Sequence, residues 1–333
     1  MNIQRKFGPI TALAMFAAMT LAACGSDASG ADASRIRFVF TWPTPDYELV
    51  PLVVGQSQGF YEEAGLDVDV TFPPDTATAV KVLATGDGDI ALPTTTDIVA
   101  AGETGLPVTS VANYSQSNNW GFFSKPGVPL DDIEDLKGKS VAVFADTFSK
   151  AMMSAVLKAN DMAPEDLDQV TVDDSTRLML AGKIDVATNT TNYLVPQVLA
   201  ETGEEPGVLL GKDNGAPDMP IWVYAAADSY MEEHPESVEK FLAATAEATE
   251  WAMDNPDEAV TAYEEAFPQN GYTHELNVDG WKATAELLKN EDGELFTQTD
   301  EQWTDLADAL VDSGALGEAL PPSDYYTNEY IKQ

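Results

Sequence analysis

The sequence predicts an α/β protein of two lobes followed by a helical C-terminal segment. Strand-like and helix-like patterns alternate up to about residue 123, and a second alternating series starts near residue 140. After about residue 226 the pattern is nearly all helical. Such alternation is typical of mostly parallel sheets flanked by helices. Two series joined near 120–128 and 216–226 indicate two lobes with two crossings between them.

The first series begins with the alternating, β-rich run Ile36-Arg37-Phe38-Val39-Phe40. Gly59, Gly65 and Gly86 follow helical patterns and can end helices in left-handed geometry. Phe60 and Tyr61 are expected to pack a helix onto the sheet. The predicted strands of this series are 36–40, 67–72, 90–92, 108–114 and 120–123, and its predicted helices are 50–61, 76–85 and 96–103. Lobe 1 is therefore expected to hold residues 35–123.

The second series begins with the apolar run Ser140-Val141-Ala142-Val143-Phe144. Its predicted helix is 148–160, and its later strands are 170–172, 186–188 and 208–210. A further predicted strand, 221–225, leads back to lobe 1. The last four predicted helices are 235–253, 256–267, 276–288 and 300–313. Lobe 2 is thus expected to hold 124–223, and lobe 1 to regain 224–333.

The N-terminus has the pattern of an export signal. Arg5 and Lys6 precede an apolar stretch that ends in Leu21-Ala22-Ala23-Cys24, where Cys24 is the only cysteine of the chain. The stretch is shorter than the roughly 20 apolar residues of a membrane span. The segment resembles the lipobox of bacterial lipoproteins. The resemblance implies a signal peptide over 1–23, an acylated Cys24 on the extracytoplasmic face of the cell membrane, and a flexible linker over 24–34. Cleavage by an ordinary signal peptidase, which would leave a free secreted protein, is the alternative.

Composition limits the class of partner. The chain has 17 Lys and Arg against 56 Asp and Glu, for a formal net charge of −39. Such acidity argues against a nucleic-acid partner and against electrostatic docking on anionic lipid, because both need a basic face. With a single cysteine no internal disulfide can form, so the hydrophobic core must hold the fold.

Several motifs, in order along the chain, resemble one group of bacterial solute-binding proteins. The clearest is Gly59-Phe60-Tyr61-Glu62-Glu63-Ala64-Gly65-Leu66-Asp67-Val68, preceded by Thr41-Trp42-Pro43-Thr44-Pro45. Further matches are the segments 82–91, 136–143, 181–187 and 234–242. That group includes binders of thiamine pyrimidine precursors and of sulfonate, nitrate and taurine. The resemblance implies a type II periplasmic-binding-protein fold, in which two lobes close on a ligand by a hinge and deliver it to an ABC permease with its ATPase.

The expected ligand is a small flat heteroaromatic solute such as a thiamine pyrimidine precursor. An aliphatic sulfonate, taurine, nitrate or riboflavin is the alternative. The pyrimidine-precursor binders usually carry an aromatic-acidic loop after the third strand, whereas this chain has Thr94-Thr95-Thr96-Asp97 there. Arg177 could anchor an anion or simply face solvent. Few basic residues lie near the predicted strand ends, which disfavours a strongly anionic solute.

Ligands of open α/β sheets lie beyond the carboxyl ends of the strands. Residues at those ends are aromatic or neutral hydrogen-bonding residues, which suits a flat polar ring. The candidate ligand-binding residues are Trp42, Thr44, Tyr47, Thr94, Thr95, Thr96, Asn113, Tyr114, Trp120, Phe144, Thr147, Asn189, Thr191, Asn192 and Tyr193. Trp42 is the strongest candidate, because the resemblance implies an aromatic residue at this position. The alternative is that Trp42 packs at the hinge and does not contact the ligand. Thr94 to Thr96 and Thr147 could instead cap helices.

Nothing in the sequence indicates an enzyme. Acylation would remove the only thiol, and His234 and His274 lie at helix starts without metal-ligand spacing. A relative in this superfamily makes the thiamine pyrimidine, but it depends on histidine and cysteine features that this chain lacks. We expect a monomer without cofactor or metal. A pyrimidine-synthesising enzyme or a sensor subunit is the alternative from another class.

Overall fold

Two five-stranded sheets carry the fold. The computed structural model describes residues 34–74 and 76–332, and the structural statements below concern that part of the chain. The predicted signal peptide, Cys24 and the predicted linker up to residue 33 lie outside it. Ser34, which was expected to belong to the linker, begins the first strand. No helix of the described part is long and apolar enough to cross a bilayer.

The elements follow the order that the sequence predicts, with three helices added. The strands are β1 (Ser34–Val39), β2 (Leu66–Thr71), β3 (Ile90–Ala91), β4 (Val108–Asn113), β5 (Trp120–Ser124), β6 (Ser140–Val143), β7 (Asp168–Thr171), β8 (Val186–Thr190), β9 (Gly207–Leu210) and β10 (Val223–Ala227). The helices are α1 (Val50–Ser57), α2 (Phe60–Glu63), α3 (Thr76–Ala84), α4 (Thr95–Thr104), α5 (Thr147–Ala159), α6 (Ser175–Leu180), α7 (Thr191–Thr202), α8 (Asp228–Glu233), α9 (Pro235–Asp254), α10 (Pro256–Ala266), α11 (His274–Ala285) and α12 (Asp300–Asp312).

The first sheet has the strand order β2-β1-β3-β10-β4. β1 pairs in parallel with both β2 and β3, whereas β10 runs antiparallel to β3 and β4. The returning strand β10 therefore lies inside the sheet, between β3 and β4, which precede it by more than 100 residues in the chain. This arrangement brings the carboxyl ends of β1 and β3 to one edge.

The second sheet has the order β7-β6-β8-β5-β9. The strand β5, which the sequence analysis assigned to lobe 1 up to residue 123, pairs antiparallel with β8 and β9 and so belongs to this sheet. Its position corrects the predicted boundary, because the first crossing precedes Trp120 rather than following Phe123.

The two crossings are hydrogen-bonded to each other. Asn118 of the first crossing donates two hydrogen bonds to the second crossing. Its backbone N–H donates to Asp218 Oδ1 at 2.8 Å, and its Nδ2 donates to the Pro217 carbonyl at 2.9 Å. Ile221 N–H donates to Ser115 Oγ at 3.3 Å. The crossings thus form one connected strip between the sheets.

The predicted helix over 50–61 is two helices, because Gly59 adopts a φ of +86° and breaks it. Tyr61, in the second of these helices, is buried, stacks on Phe241 at a centroid distance of 5.6 Å and shares a 2.8 Å hydrogen bond with Thr245. Tyr61 is therefore a core residue, as expected, but these contacts are made to α9 rather than to the sheet.

Candidate functional site

Two adjoining cavities lie where the strand ends of the two sheets face each other. The larger has a volume of about 560 Å³ and the smaller about 200 Å³. Phe144, Asn189, Thr190 and Trp222 line both, so the cavities form one cleft with two compartments. The first lobe supplies one wall through the loop after β1, and the second lobe supplies the other through the ends of β6 and β8.

The larger cavity has an aromatic wall. Trp42 and Trp222 meet at a centroid distance of 4.9 Å, and Phe40 supports Trp42 from below at 4.6 Å. The indole Nε1 of Trp42 donates to Asp46 Oδ2 at 2.8 Å, which fixes the ring's orientation. Tyr193 and Tyr272 also line this cavity, and their hydroxyls are 2.9 Å apart. The ring edges and faces can contact a flat ligand.

Beneath this wall lie two buried carboxyl groups, Asp46 and Glu48, at 5% and 7% exposure. Asp46 Oδ1 accepts the Glu48 N–H at 2.9 Å, because Asp46 caps the short 3-10 turn Tyr47–Leu49. Burial raises the pKa of Asp46 to about 7. Burial, and then the neighbouring Asp46, raise the pKa of Glu48 well above its usual range. Burial therefore favours the protonated form of both acids.

Asn192, in the first turn of α7, joins the second lobe to these acids. Its Nδ2 donates to Glu48 Oε1 and to Thr284 Oγ1, both at 3.0 Å. The Tyr47 hydroxyl donates to the Asn192 carbonyl at 3.0 Å. Asn192 is buried at 3% exposure, so these bonds are shielded from water. The residue holds the lobes together on one side of the cleft.

The smaller cavity has capped helix ends along its walls. Thr94 caps α4, and its Oγ1 accepts the Asp97 N–H at 3.0 Å. Asp146, rather than the expected Thr147, caps α5 through a 2.7 Å bond from the Ser149 N–H. Trp120 is 2% exposed, lines this cavity, and its Nε1 has no hydrogen-bond partner among the described residues. That N–H is free to donate to a ligand.

The structure places nine of the candidate residues on the cleft surface and six behind it. On the surface are Trp42, Thr44, Thr94, Thr96, Trp120, Phe144, Thr147, Asn189 and Tyr193. Behind it are Tyr47, Thr95, Asn113, Tyr114, Thr191 and Asn192. Of these, Tyr114 donates to the Glu48 carbonyl at 2.9 Å, Thr95 donates to the Pro220 carbonyl at 2.9 Å, and Asn113 donates to the Thr297 carbonyl at 2.6 Å. These six side chains support the cleft or the crossings.

Sequence reasoning missed Asp46, Glu48, Trp222 and Tyr272. Asp46 and Glu48 could not be singled out from the sequence, because the chain contains 56 Asp and Glu residues. A usable signal was their position in a short apolar stretch directly after a strand end. Trp222 was placed inside a strand, whereas β10 starts one residue later and leaves its ring at the cleft.

The described histidines do not gather at the cleft, whose acid–base groups are carboxyls and tyrosines. His274 bonds to Glu264 at 2.9 Å, and His234 lies 4.9 Å from the Tyr230 ring, and neither lines the two cavities. Within 34–74 and 76–332, no group of His, Cys, Asp and Glu has the arrangement of a metal site. Arg177 is exposed and pairs with Asp174 at 3.0 Å, outside the cleft lining. The arrangement offers rings and polar groups that a ligand can contact.

Two α/β lobes that are joined by paired crossings and face each other across a cleft define a type II periplasmic-binding-protein fold, as expected. The periplasmic aliphatic sulphonate binding protein SsuA from Escherichia coli has the same fold, with a TM-score of 0.66 at 14% identity over 87% of this chain and 91% of that one. The chain belongs to the NMT1/THI5-like family, whose model matches residues 46–259.

Curated relatives of different activity align with the chain. A formylaminopyrimidine-binding protein of Halalkalibacterium halodurans is 26% identical over 328 residues, which cover 94% of this chain and 96% of the relative. The riboflavin-binding protein RibY of Chloroflexus aurantiacus is 27% identical over 310 residues, 86% of this chain and 83% of the relative. The 4-amino-5-hydroxymethyl-2-methylpyrimidine phosphate synthase THI13 of Saccharomyces cerevisiae is 27% identical over 247 residues, 71% of this chain and 72% of the relative.

Proposed function

We propose that this chain is an extracytoplasmic solute-binding lipoprotein of an ABC importer, and that it binds a small flat heteroaromatic solute, such as a thiamine pyrimidine precursor, between its lobes. One observation carries the proposal: Trp42 and Trp222 form the aromatic wall of a cavity of about 560 Å³ that Thr44, Asn189 and Thr190 edge with polar groups. Aromatic walls with a few placed polar groups are typical of sites for flat polar ligands. The aligned formylaminopyrimidine-binding protein supports the same class.

Delivery to an importer requires the receptor to stay near the membrane. We infer that the lipid on Cys24 provides this attachment and that a permease with its ATPase receives the solute. A single acyl chain binds a bilayer only reversibly, so stable attachment needs more than one. The protein would act as a monomer, because one cleft and one anchor are sufficient for this role.

Riboflavin is a second candidate solute. The two compartments share four lining residues, so a ligand longer than one pyrimidine can occupy both. The alignment with RibY favours the same possibility. A two-compartment ligand would contact Trp120 as well as Trp42, whereas a pyrimidine would need only the larger compartment.

An enzymatic role has less support, although yeast relatives are named synthases. Covalent or acid–base catalysis needs an activated nucleophile or a base within reach of the ligand. The cleft offers no histidine or cysteine among its described lining residues. Both oxygens of Asp46 accept from protein donors and one oxygen of Glu48 accepts from Asn192, which suits recognition. We therefore propose binding without turnover.

Mass spectrometry of ligand released from the purified protein tests the proposal, followed by calorimetry with an aminopyrimidine, riboflavin and an alkanesulfonate. We expect a pyrimidine-containing solute to co-purify and to bind in a one-to-one complex. Binding of the alkanesulfonate alone would overturn the heteroaromatic assignment. Turnover of the bound solute would overturn the receptor assignment.

A further inference from the structure

Glu48 carries a carboxylate oxygen that the protein does not use. The side chain is more than nine-tenths buried, lines the larger cavity, and its Oε2 has no hydrogen-bond partner among the described residues. Its other oxygen, Oε1, accepts from Asn192. A buried acceptor without a donor costs about 1–3 kcal/mol, and more when charged, so such groups in native proteins call for an explanation. A donor supplied by the ligand would remove that cost.

The protein offers no positive charge in place of such a donor. None of the described Lys and Arg side chains lines either compartment. The neighbouring Asp46 uses its two oxygens on the Trp42 indole and the Glu48 N–H, so it does not pair with Glu48. Asp173 lies at the rim of the same cavity and adds negative potential, whereas Asp174 there is paired with the exposed Arg177. The aromatic wall formed by Trp42 and Trp222 also favours a cation through its ring faces.

The same cleft offers few ready sites for an anion. Helix starts often bind anions through free N–H groups, but two of the helices that begin here are already capped. Thr94 and Asp97 form a reciprocal capping box on α4, and Asp146 accepts both the N–H and the hydroxyl of Ser149 on α5. The first turn of α7 has no side-chain cap, but the buried Glu48 carboxyl lies beside it, bonded to Asn192, and disfavours an anion there.

We propose that Glu48 is the specificity-determining residue of the cleft and that it selects a flat ligand with a planar N–C–N edge bearing N–H donors, such as an amino-substituted, protonatable nitrogen heterocycle. This inference rests on the proposed function only in placing the solute in the cleft. The ligand edge donates to the free Oε2, and its positive charge stabilises the ionised form of Glu48 against the burial that otherwise favours protonation, while the ring lies against Trp42. Ligands with an oxygen-only or sulfonate edge lose this pairing and meet like charge.

Benzamidine and benzoate provide a direct test, because both are flat rings of nearly the same shape that present opposite charge. Their affinities are measured by calorimetry together with those of 4-amino-5-hydroxymethyl-2-methylpyrimidine and its 4-oxo analogue. For the natural protein we expect benzamidine to bind at least tenfold more tightly than benzoate, and the amino ring at least tenfold more tightly than the oxo ring.

The variant Glu48→Gln keeps an oxygen for Asn192 but removes the charge. We expect it to lose both preferences, whereas the control Glu62→Gln, which removes one exposed carboxylate elsewhere on the same lobe, keeps them. Thermal midpoints of the variants check that they fold, and Glu48→Ala provides a second variant if Glu48→Gln unfolds. Equal binding of benzamidine and benzoate by the natural protein, or a preference that survives both Glu48 variants, would overturn the inference. Failure of both pyrimidines to bind would contradict the proposed function, while the benzamidine pair still decides the role of Glu48.

Discussion

At the scale of single residues, the first loop of the chain concentrates the chemistry of the cleft. Within seven positions, Trp42 supplies a ring, Asp46 orients that ring, and Glu48 presents a free oxygen. The loop can hold two acids because one of them caps the following turn and burial favours the protonated form of both. One short segment thus supplies the ring, the group that orients it and the free hydrogen-bond acceptor.

Trp42→Ala tests the role of the ring. The variant loses the ring contact and its buried area, so we expect the dissociation constant of the co-purified solute to rise about tenfold or more. Calorimetry measures the change. Trp251→Ala is the matched control, because Trp251 is also partly buried but lies on α9 and lines neither cavity. An unchanged affinity for Trp42→Ala would assign Trp42 to hinge packing.

The raised pKa of Asp46 predicts how stability depends on pH. The folded protein keeps this proton up to about pH 7, whereas the unfolded chain releases it near the ordinary aspartate pKa of 3.8. Raising the pH between these values therefore favours the unfolded state, by up to about 1.4 kcal/mol per pH unit for one group. In Asp46→Asn this contribution is absent, so the variant should gain stability relative to the natural protein as the pH rises from about 4 to about 7.

Denaturant unfolding over this pH range measures the difference between the two proteins. The slope of the difference is the informative quantity, because the substitution also changes hydrogen bonds by an amount that does not depend on pH. Glu62→Gln controls for the loss of one exposed negative charge. Parallel stability curves for Asp46→Asn and the natural protein would rule out a buried proton at Asp46.

At the scale of elements, α7 links the lobes. It begins at Thr191, and its first turn places Asn192 against Glu48 of the first loop and Thr284 of α11. On the opposite side, α5 approaches α12, where Lys158 and Asp312 form an exposed ion pair at 2.6 Å. Buried hydrogen bonds contribute more than an exposed pair, so the α7 contact is the stronger of the two.

Asn192→Ala tests this contact. The variant removes the donor to Glu48 and leaves both oxygens of that carboxylate without a partner in the described protein, so we expect solute affinity to fall about tenfold. Small-angle scattering should show a larger radius of gyration without solute, as the lobes separate. Asn160→Ala is the control, since the Asn160 side chain donates to the Val156 and Asn214 carbonyls within the second lobe. Unchanged scattering and affinity would mean that α7 does not hold the lobes.

The order of the elements could be predicted because strand and helix periods are local. The helix α7 could not, since Thr190, Thr191 and Asn192 favour a loop and Pro196 lies inside the helix. Packing of Leu194 and Val198 into the core outweighs those preferences. The placement of β5 was missed for a different reason: its partners β8 and β9 lie more than 60 residues away, and their pairing leaves no local pattern.

At the scale of the whole molecule, the cleft belongs to neither lobe alone. Four residues line both compartments, and they come from both sides of the cleft. Strand-end reasoning found nine of the lining residues because the edge of a sheet is set by topology. It could not separate residues that face the cleft from those that support it, since that distinction depends on how the lobes pack.

The proposed membrane attachment makes a prediction at this scale. Replacing the only cysteine, in Cys24→Ser, should abolish incorporation of labelled fatty acid and release the protein from the membrane fraction of an expressing bacterial host. Ser26→Ala, two residues further on, is the control and should stay with the membrane. Release of the natural protein together with the variant would favour a free secreted form.

The hydrogen bonds between the two crossings have a mechanical consequence. Asn118 is bonded to Pro217 and Asp218, and Ser115 to Ile221, so neither crossing can rotate while the other stays still. Two crossings without hydrogen bonds between them would allow the lobes to twist as well as bend. Hydrogen-bonded crossings leave the lobes a single degree of freedom. Domain closure then follows one coordinate, and tryptophan fluorescence from the cleft and scattering from the whole particle should relax with one common rate constant.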